Sequence, residues 1–141
     1  MASTTGNAVS QDAAQQPSVL VAEDDEQIAF LLQFLLEREG YRVVRATDGR
    51  DALRLMGEIA PPALVILDIM MPYTDGFAVL GEMRARPGWK ETPVIMLTAR
   101  SQEKDIVRAF EAGANDYVVK LFLPDELKAR IRRLLLSPPK S

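Results

Sequence analysis

Asp68 is the first residue in this sequence whose placement asks for a chemical explanation. It ends the run Leu64-Val65-Ile66-Leu67 and is followed by Ile69-Met70-Met71-Pro72. A continuous apolar stretch rich in leucine and β-branched residues predicts a strand buried on both faces of a parallel sheet. A carboxylate at the end of such a strand is costly unless hydrogen bonds or charge compensate. Asp68 therefore either caps a turn or belongs to a site built around it.

Three other predicted strands end in polar or charged side chains. Ser18-Val19-Leu20-Val21-Ala22 runs into Glu23-Asp24-Asp25, Pro93-Val94-Ile95-Met96-Leu97 into Thr98, and Asp116-Tyr117-Val118-Val119 into Lys120. Each has an ordinary reading as a cap or turn residue, and one acid of the triplet is expected to be a helix N-cap. Three adjacent carboxylates exceed what a cap needs. Their repulsion calls for a counter-charge such as a divalent cation.

The elements that must position these groups alternate along the chain. Ile28, Leu31, Leu32 and Leu35 follow the acidic triplet at helical spacing, and Gly40 closes that helix. Tyr41 to Ala46 forms a half-polar strand suited to a sheet edge, after which Asp48 caps a helix carrying Ala52, Leu55, Met56 and Ile59. Asp75-Gly76 opens a helix with Phe77, Leu80 and Met83 inward, while Trp89 packs in the following loop. Ile106, Val107 and Phe110 mark the fourth helix, and Pro124 opens a fifth with Leu127, Ile131, Leu134 and Leu135 toward the sheet.

Strand and helix thus repeat as βα five times, predicting an α/β fold with a doubly wound, five-stranded parallel sheet. Ligands of such sheets bind beyond the carboxyl ends of the strands. On that edge Glu23, Asp24, Asp68, Thr98 and Lys120 would meet, which makes independent caps the less economical account. Carboxylates with open water positions suit Mg²⁺, with Mn²⁺ as a substitute, and Mg²⁺ commonly bridges carboxylates to phosphoryl oxygens. Asp68 would act as nucleophile toward phosphorus, and Lys120 and Thr98 would hold the remaining phosphoryl oxygens.

The spacing of Glu23-Asp24, Asp68-Ile69-Met70-Met71-Pro72 with Asp75-Gly76, Leu97-Thr98-Ala99 and Tyr117-Val118-Val119-Lys120 resembles that of response-regulator receiver domains of bacterial two-component signalling. The resemblance runs from about Ser18 to Leu136. It implies the flavodoxin-like strand order 2-1-3-4-5 and Asp68 as phosphoacceptor from a sensor histidine kinase or phosphotransfer protein. It further implies Glu23, Asp24, Asp68 and the backbone carbonyl of Met70 as metal ligands, and Thr98 and Tyr117 as a coupled switch. Such a domain is not an enzyme in the ordinary sense, since at most it catalyses its own phosphorylation and dephosphorylation.

Within receivers, Lys104 to Arg108 and Glu126 to Arg132 look most like the class fused to winged-helix DNA-binding domains. That class dimerises through its fourth helix, fifth strand and fifth helix by crossed ion pairs. Glu111 with Arg132 and Asp116 with Arg130 match two of these pairs, and Ile106 replaces the basic member of the third. A solvated charged face is the alternative for these residues.

Composition narrows the field from another side. The sequence has 141 residues, 48% of them hydrophobic and 26% charged, which suits one domain with a sizeable core. With no Cys and no His, it lacks thiol catalysis, Cys/His zinc sites and a histidine base. A net charge of −3 and a pI near 5.0 argue against direct nucleic-acid binding. No apolar run is long enough to span a bilayer, so no membrane association and a cytoplasmic location are expected. Residues 1–17 are expected to form a disordered tail, 18–136 the receiver domain, and 137–141 a tail or the start of a linker.

Two other function classes remain open on these residues. A non-phosphorylated adaptor would keep the fold, yet all the site residues are present. An aspartyl-phosphate phosphatase would want a second carboxylate close to the first in sequence, where Met70 stands. One departure stands out: receivers usually follow the lysine with proline, joined by a cis peptide, whereas this chain reads Lys120-Leu121-Phe122-Leu123-Pro124. A cis bond before a non-proline residue costs roughly 2.5 to 4 kcal/mol, so a trans bond is expected, with Lys120 held less firmly over Asp68. Leu123 also replaces the usual capping side chain of the last helix.

Overall fold

The computed structural model describes residues 16–99, 102–120 and 122–136. Residues 1–15 of the tail expected at 1–17, the expected tail at 137–141, and Leu121 with both of its peptide bonds lie outside these residues.

The chain forms β1 (Ser18–Ala22), α1 (Glu26–Arg38), β2 (Arg42–Ala46), α2 (Gly49–Met56), β3 (Leu64–Asp68), α3 (Gly76–Ala85), β4 (Val94–Thr98), α4 (Glu103–Glu111), β5 (Asp116–Val119) and α5 (Pro124–Leu136). The five strands are parallel in the order β2-β1-β3-β4-β5. β3 is central and buried throughout, whereas β2, half polar, lies at an edge.

Alternation along the strands divides the core in two. Val19, Val21, Leu64, Ile66, Ile95 and Leu97 point to the face covered by α1 and α5, where they meet Leu32, Leu36, Leu127 and Ile131. Leu20, Val65, Leu67 and Met96 point to the other face, against Ala52, Met56, Leu80, Met83 and Ala109 of α2, α3 and α4. With both faces covered, strands must be apolar at consecutive positions, which explains the unbroken runs in β3 and β4.

Three helices begin on aspartates placed directly after strand ends or loops. Asp25 Oδ1 accepts from the N–H groups of Gln27 and Ile28 at 2.9 and 3.1 Å, Asp48 from Asp51 at 2.8 Å and Asp75 from Ala78 at 2.9 Å. Gln102 caps α4 with its backbone alone, without a side-chain hydrogen bond among the described residues, and α5 opens on Pro124, the carbonyl of Leu123 accepting from the N–H of Leu127 at 3.1 Å.

On two helices only some of the apolar residues that mark them face the core. On α4 the inward residues are Asp105 and Ala109, whereas Val107 and Phe110 are about half exposed. On α1 the buried residues are Ala29, Leu32 and Leu36, and Leu31 points outward beside Phe30 and Phe34. Trp89 is buried in the loop after α3, as its position suggested. No helix among the described residues is long and apolar enough to cross a membrane.

Candidate functional site

The carboxyl ends of β1, β3, β4 and β5 bring the expected residues to one edge of the sheet. The acidic triplet divides into three roles. Asp25 caps α1, Glu23 is fully buried, and Asp24 is exposed. Carboxylate oxygens of Glu23, Asp24 and Asp68 all lie within 4.8 Å of one another. Such a set has the donor chemistry and spacing for a hard divalent cation.

Asp68 itself is buried. Its Oδ1 accepts a hydrogen bond from the Met70 N–H at 3.2 Å, and its Oδ2 from the Lys120 ammonium at 3.1 Å. Lys120 also donates to Glu23 Oε2 at 3.2 Å, so one ammonium bridges two carboxylates. This corrects the expectation of a loosely held lysine. The Lys120 N–H donates to the Thr98 carbonyl at 2.7 Å, continuing the β4–β5 ladder one residue beyond Val119. The strand, not the loop after it, therefore places the ammonium.

Burial is the main influence on these charges. It raises the Glu23 carboxyl to about 7; the Asp25 N–H opposes the rise, Asp68 reinforces it by repulsion, and Lys120 opposes it. Burial also raises Asp68 above the usual carboxylate range, against the hydrogen bond and charge of Lys120. Burial tends to lower Lys120, but the two carboxylates outweigh it and hold the ammonium above the ordinary lysine value. Three carboxylates facing one ammonium leave net negative charge in the pocket. Glu23 Oε1 is buried, lies 3.1 Å from the ammonium and receives no well-aligned hydrogen bond. A buried carboxylate oxygen that is ion-paired but not hydrogen-bonded, beside two further carboxylates, fits a Mg²⁺ ligand set.

The loop after β3 closes tightly over the phosphoacceptor candidate. The Gly76 N–H donates to the Ile69 carbonyl at 2.8 Å, and a Cβ on Gly76 would stand 2.3 Å from the Asp68 carbonyl oxygen. Only glycine fits there. At the loop tip, Tyr73 adopts φ +72°, the Thr74 N–H donates to the Pro72 carbonyl, and Arg50 of α2 stacks over the Tyr73 ring at 3.9 Å. Met70, expected to offer its carbonyl to the cation, sits in this loop with an exposed side chain.

Thr98 and Tyr117 are both buried, on neighbouring strands. Tyr117 packs within the cluster beneath α2, α3 and α4. The expected dimer residues divide differently. Asp116 is buried and accepts from Arg130 at 2.9 and 3.1 Å and from Arg133 at 3.2 Å within the chain. Arg132 forms a two-point pair with Glu39, at the end of α1, at 2.9 and 3.0 Å. Glu111 is exposed at the end of α4. Sequence reasoning missed Arg45, whose guanidinium reaches the Glu23 carbonyl from β2. As one of several polar residues in an edge strand, it carried no signal.

Residues 19–132 match the family described as Response regulator receiver domain. The chain is 43% identical over 117 residues to the alkaline phosphatase synthesis transcriptional regulatory protein PhoP of Bacillus subtilis (strain 168), covering 83% of this chain and 48% of that protein. It therefore spans about half the length of that curated relative. Among solved structures, a Francisella response regulator receiver domain superposes with a TM-score of 0.78 at 35% identity, covering 86% of this chain and 98% of that one. The receiver domain of sensor histidine kinase PA1611 from Pseudomonas aeruginosa PAO1, solved with magnesium coordinated in its active-site cleft, superposes at 0.78 with 30% identity, covering 86% and 99%. The fold agrees with these matches, and the chain belongs to the receiver-domain family of two-component response regulators.

Proposed function

We propose that Asp68 is the phosphoacceptor, taking a phosphoryl group from a histidine-bearing donor in a Mg²⁺-dependent reaction. The observation that carries this reading is the buried Asp68 bridged to Glu23 through Lys120, within a cluster of three carboxylates. Glu23, Asp24, Asp68 and the Met70 carbonyl would hold the cation, which when bound neutralises charge on the transferred group. An Asp68 oxygen forms the new bond to phosphorus as the donor's bond to phosphorus breaks. The electron pair of that bond leaves with the donor. The Lys120 ammonium, already against Asp68, follows the incoming charge and pairs with a phosphoryl oxygen. The Thr98 hydroxyl donates to another, and Tyr117 closes behind it, coupling the site to α4 and β5.

The donor must bring its phosphoryl group to this edge. Phe30, Leu31 and Phe34 form an exposed apolar stripe on α1, beginning one turn from the Asp25 cap, and Phe30 is 74% exposed. That stripe suits a helical partner carrying the histidine. Val107 and Phe110 on α4 and Val119 on β5 supply a second apolar surface, suited to a homodimer of the phosphorylated form. Cytoplasmic signalling to a DNA-binding effector is the corresponding output, as the class resemblance implies.

Incubation with acetyl phosphate and Mg²⁺, read by intact mass, tests the reading. Wild type gains one phosphoryl group, whereas Asp68→Asn and wild type in EDTA do not. Equal labelling of wild type and Asp68→Asn would overturn it.

A further inference from the structure

Of the three carboxylates at the site, Asp24 is held least. Glu23 and Asp68 are buried and each accepts from Lys120 and from a backbone N–H, whereas the exposed Asp24 side chain makes no hydrogen bond among the described residues. Its direction therefore depends on the peptide unit from which it projects.

That peptide is pinned from the neighbouring strand. The Glu23 N–H donates to the Ala46 carbonyl at 3.1 Å, and the Glu23 carbonyl accepts from Arg45 Nη2 at 2.9 Å and Nε at 3.3 Å. β1 ends at Ala22, so no ladder bond is left for the Glu23 carbonyl, and the Arg45 guanidinium takes that place. The arginine is partly buried, and its two donors to one carbonyl fix the guanidinium against the Glu23–Asp24 peptide.

We propose that Arg45 is a positioning residue of the cation site, fixing the Glu23–Asp24 peptide so that the Asp24 carboxylate faces Glu23 and Asp68. This inference rests on the reading of the acidic cluster as a divalent cation site. It has a distinctive sign. A guanidinium beside the site repels an incoming cation, so removing its charge would tighten binding if electrostatics were its whole effect. Removing a positioning group loosens binding instead.

The test is titration of the full chain with Mn²⁺, reading free Mn²⁺ by its paramagnetic signal, so no phosphorylation is involved. Arg45→Met keeps most of the aliphatic stem and removes charge and donors. It is expected to weaken Mn²⁺ binding about three- to tenfold, at the lower end of effects seen when a group supporting a metal ligand is lost. Arg45→Lys, which can still donate to the carbonyl, recovers part of the loss. In an Asp24→Asn background Arg45→Met has no further effect, because the ligand it positions is already impaired. Binding by Arg45→Met equal to or tighter than wild type overturns the inference, as does an undiminished loss in the Asp24→Asn background. Absence of saturable Mn²⁺ binding by wild type instead overturns the cation site itself.

Discussion

Glu23 and Lys120 tie the stability of this domain to pH in a way that can be separated from cation binding. Unfolded, a glutamate titrates at about 4.3, whereas folded Glu23 titrates at about 7. Between these values the folded form binds the additional proton, so stability is greatest below the window and falls as pH rises through it. Asp68, also raised, has the same sign. Lys120, raised as well, keeps its contribution throughout this window and loses it only at more alkaline pH. In EDTA, the unfolding free energy of wild type should fall more than that of Glu23→Gln between about pH 5 and 8, by an amount on the order of 1 to 3 kcal/mol, read from thermal melting curves. Saturating Mg²⁺ should reverse the trend for wild type alone, because binding requires the deprotonated carboxylates. Parallel melting curves for the two proteins would refute the assignment of the raised carboxyl. At this scale the site was legible in the sequence because each group directly ends an apolar run. Arg45 was not, since its role depends on a pairing register between β1 and β2 that residue types do not reveal.

The loop between β3 and α3 shows how an element can place chemistry without contributing it. Gly76 lets the chain cross the end of β3, and the three atoms that a Cβ there would meet are backbone atoms of Asp68 and Ile69 that cannot rotate away. Gly76→Ala is therefore expected to cost roughly 1 to 3 kcal/mol or more in urea unfolding. Acetyl-phosphate labelling should fall in protein that remains folded. Unchanged stability would show that the loop relaxes freely. Helices were legible where an aspartate cap preceded an apolar stripe, as at Asp25, Asp48 and Asp75. The inward face of α4 was not. That helix packs through the small Ala109, the buried Asp105 and the partly buried Ile106, leaving Val107 and Phe110 outside, so the apolar residues marked the helix without giving its inward face. If Thr98 and Tyr117 transmit the state of Asp68, beryllofluoride should shift backbone resonances along α4 from Ile106 to Phe110. Shifts confined to residues next to Asp68 would argue against transmission.

For the whole molecule the question is what the exposed face of α4 and β5 meets. The strand order and two-sided packing followed from alternation of apolar strands with amphipathic helices, but surface pairing cannot be inferred that way. Asp116 and Arg130 resembled half of an intermolecular contact, yet Arg130 and Arg133 already neutralise a buried Asp116 within the chain. Arg130→Glu would leave Asp116 without its principal partner and place two further acids, the new residue and Glu126, nearby. A loss of dimer in that variant would not distinguish interface from fold. Phe110 is a cleaner probe, being 46% exposed and one helical turn from Val107 on the outer side of α4. A charge there leaves the monomer core untouched but must be desolvated if two copies meet on this face. With beryllofluoride and Mg²⁺, wild type should show concentration-dependent dimerisation in sedimentation equilibrium, and Phe110→Lys should weaken it at least tenfold while its unfolding free energy stays within the range of ordinary surface substitutions, about 0.5 kcal/mol. Dimerisation of Phe110→Lys equal to wild type would place the contact elsewhere.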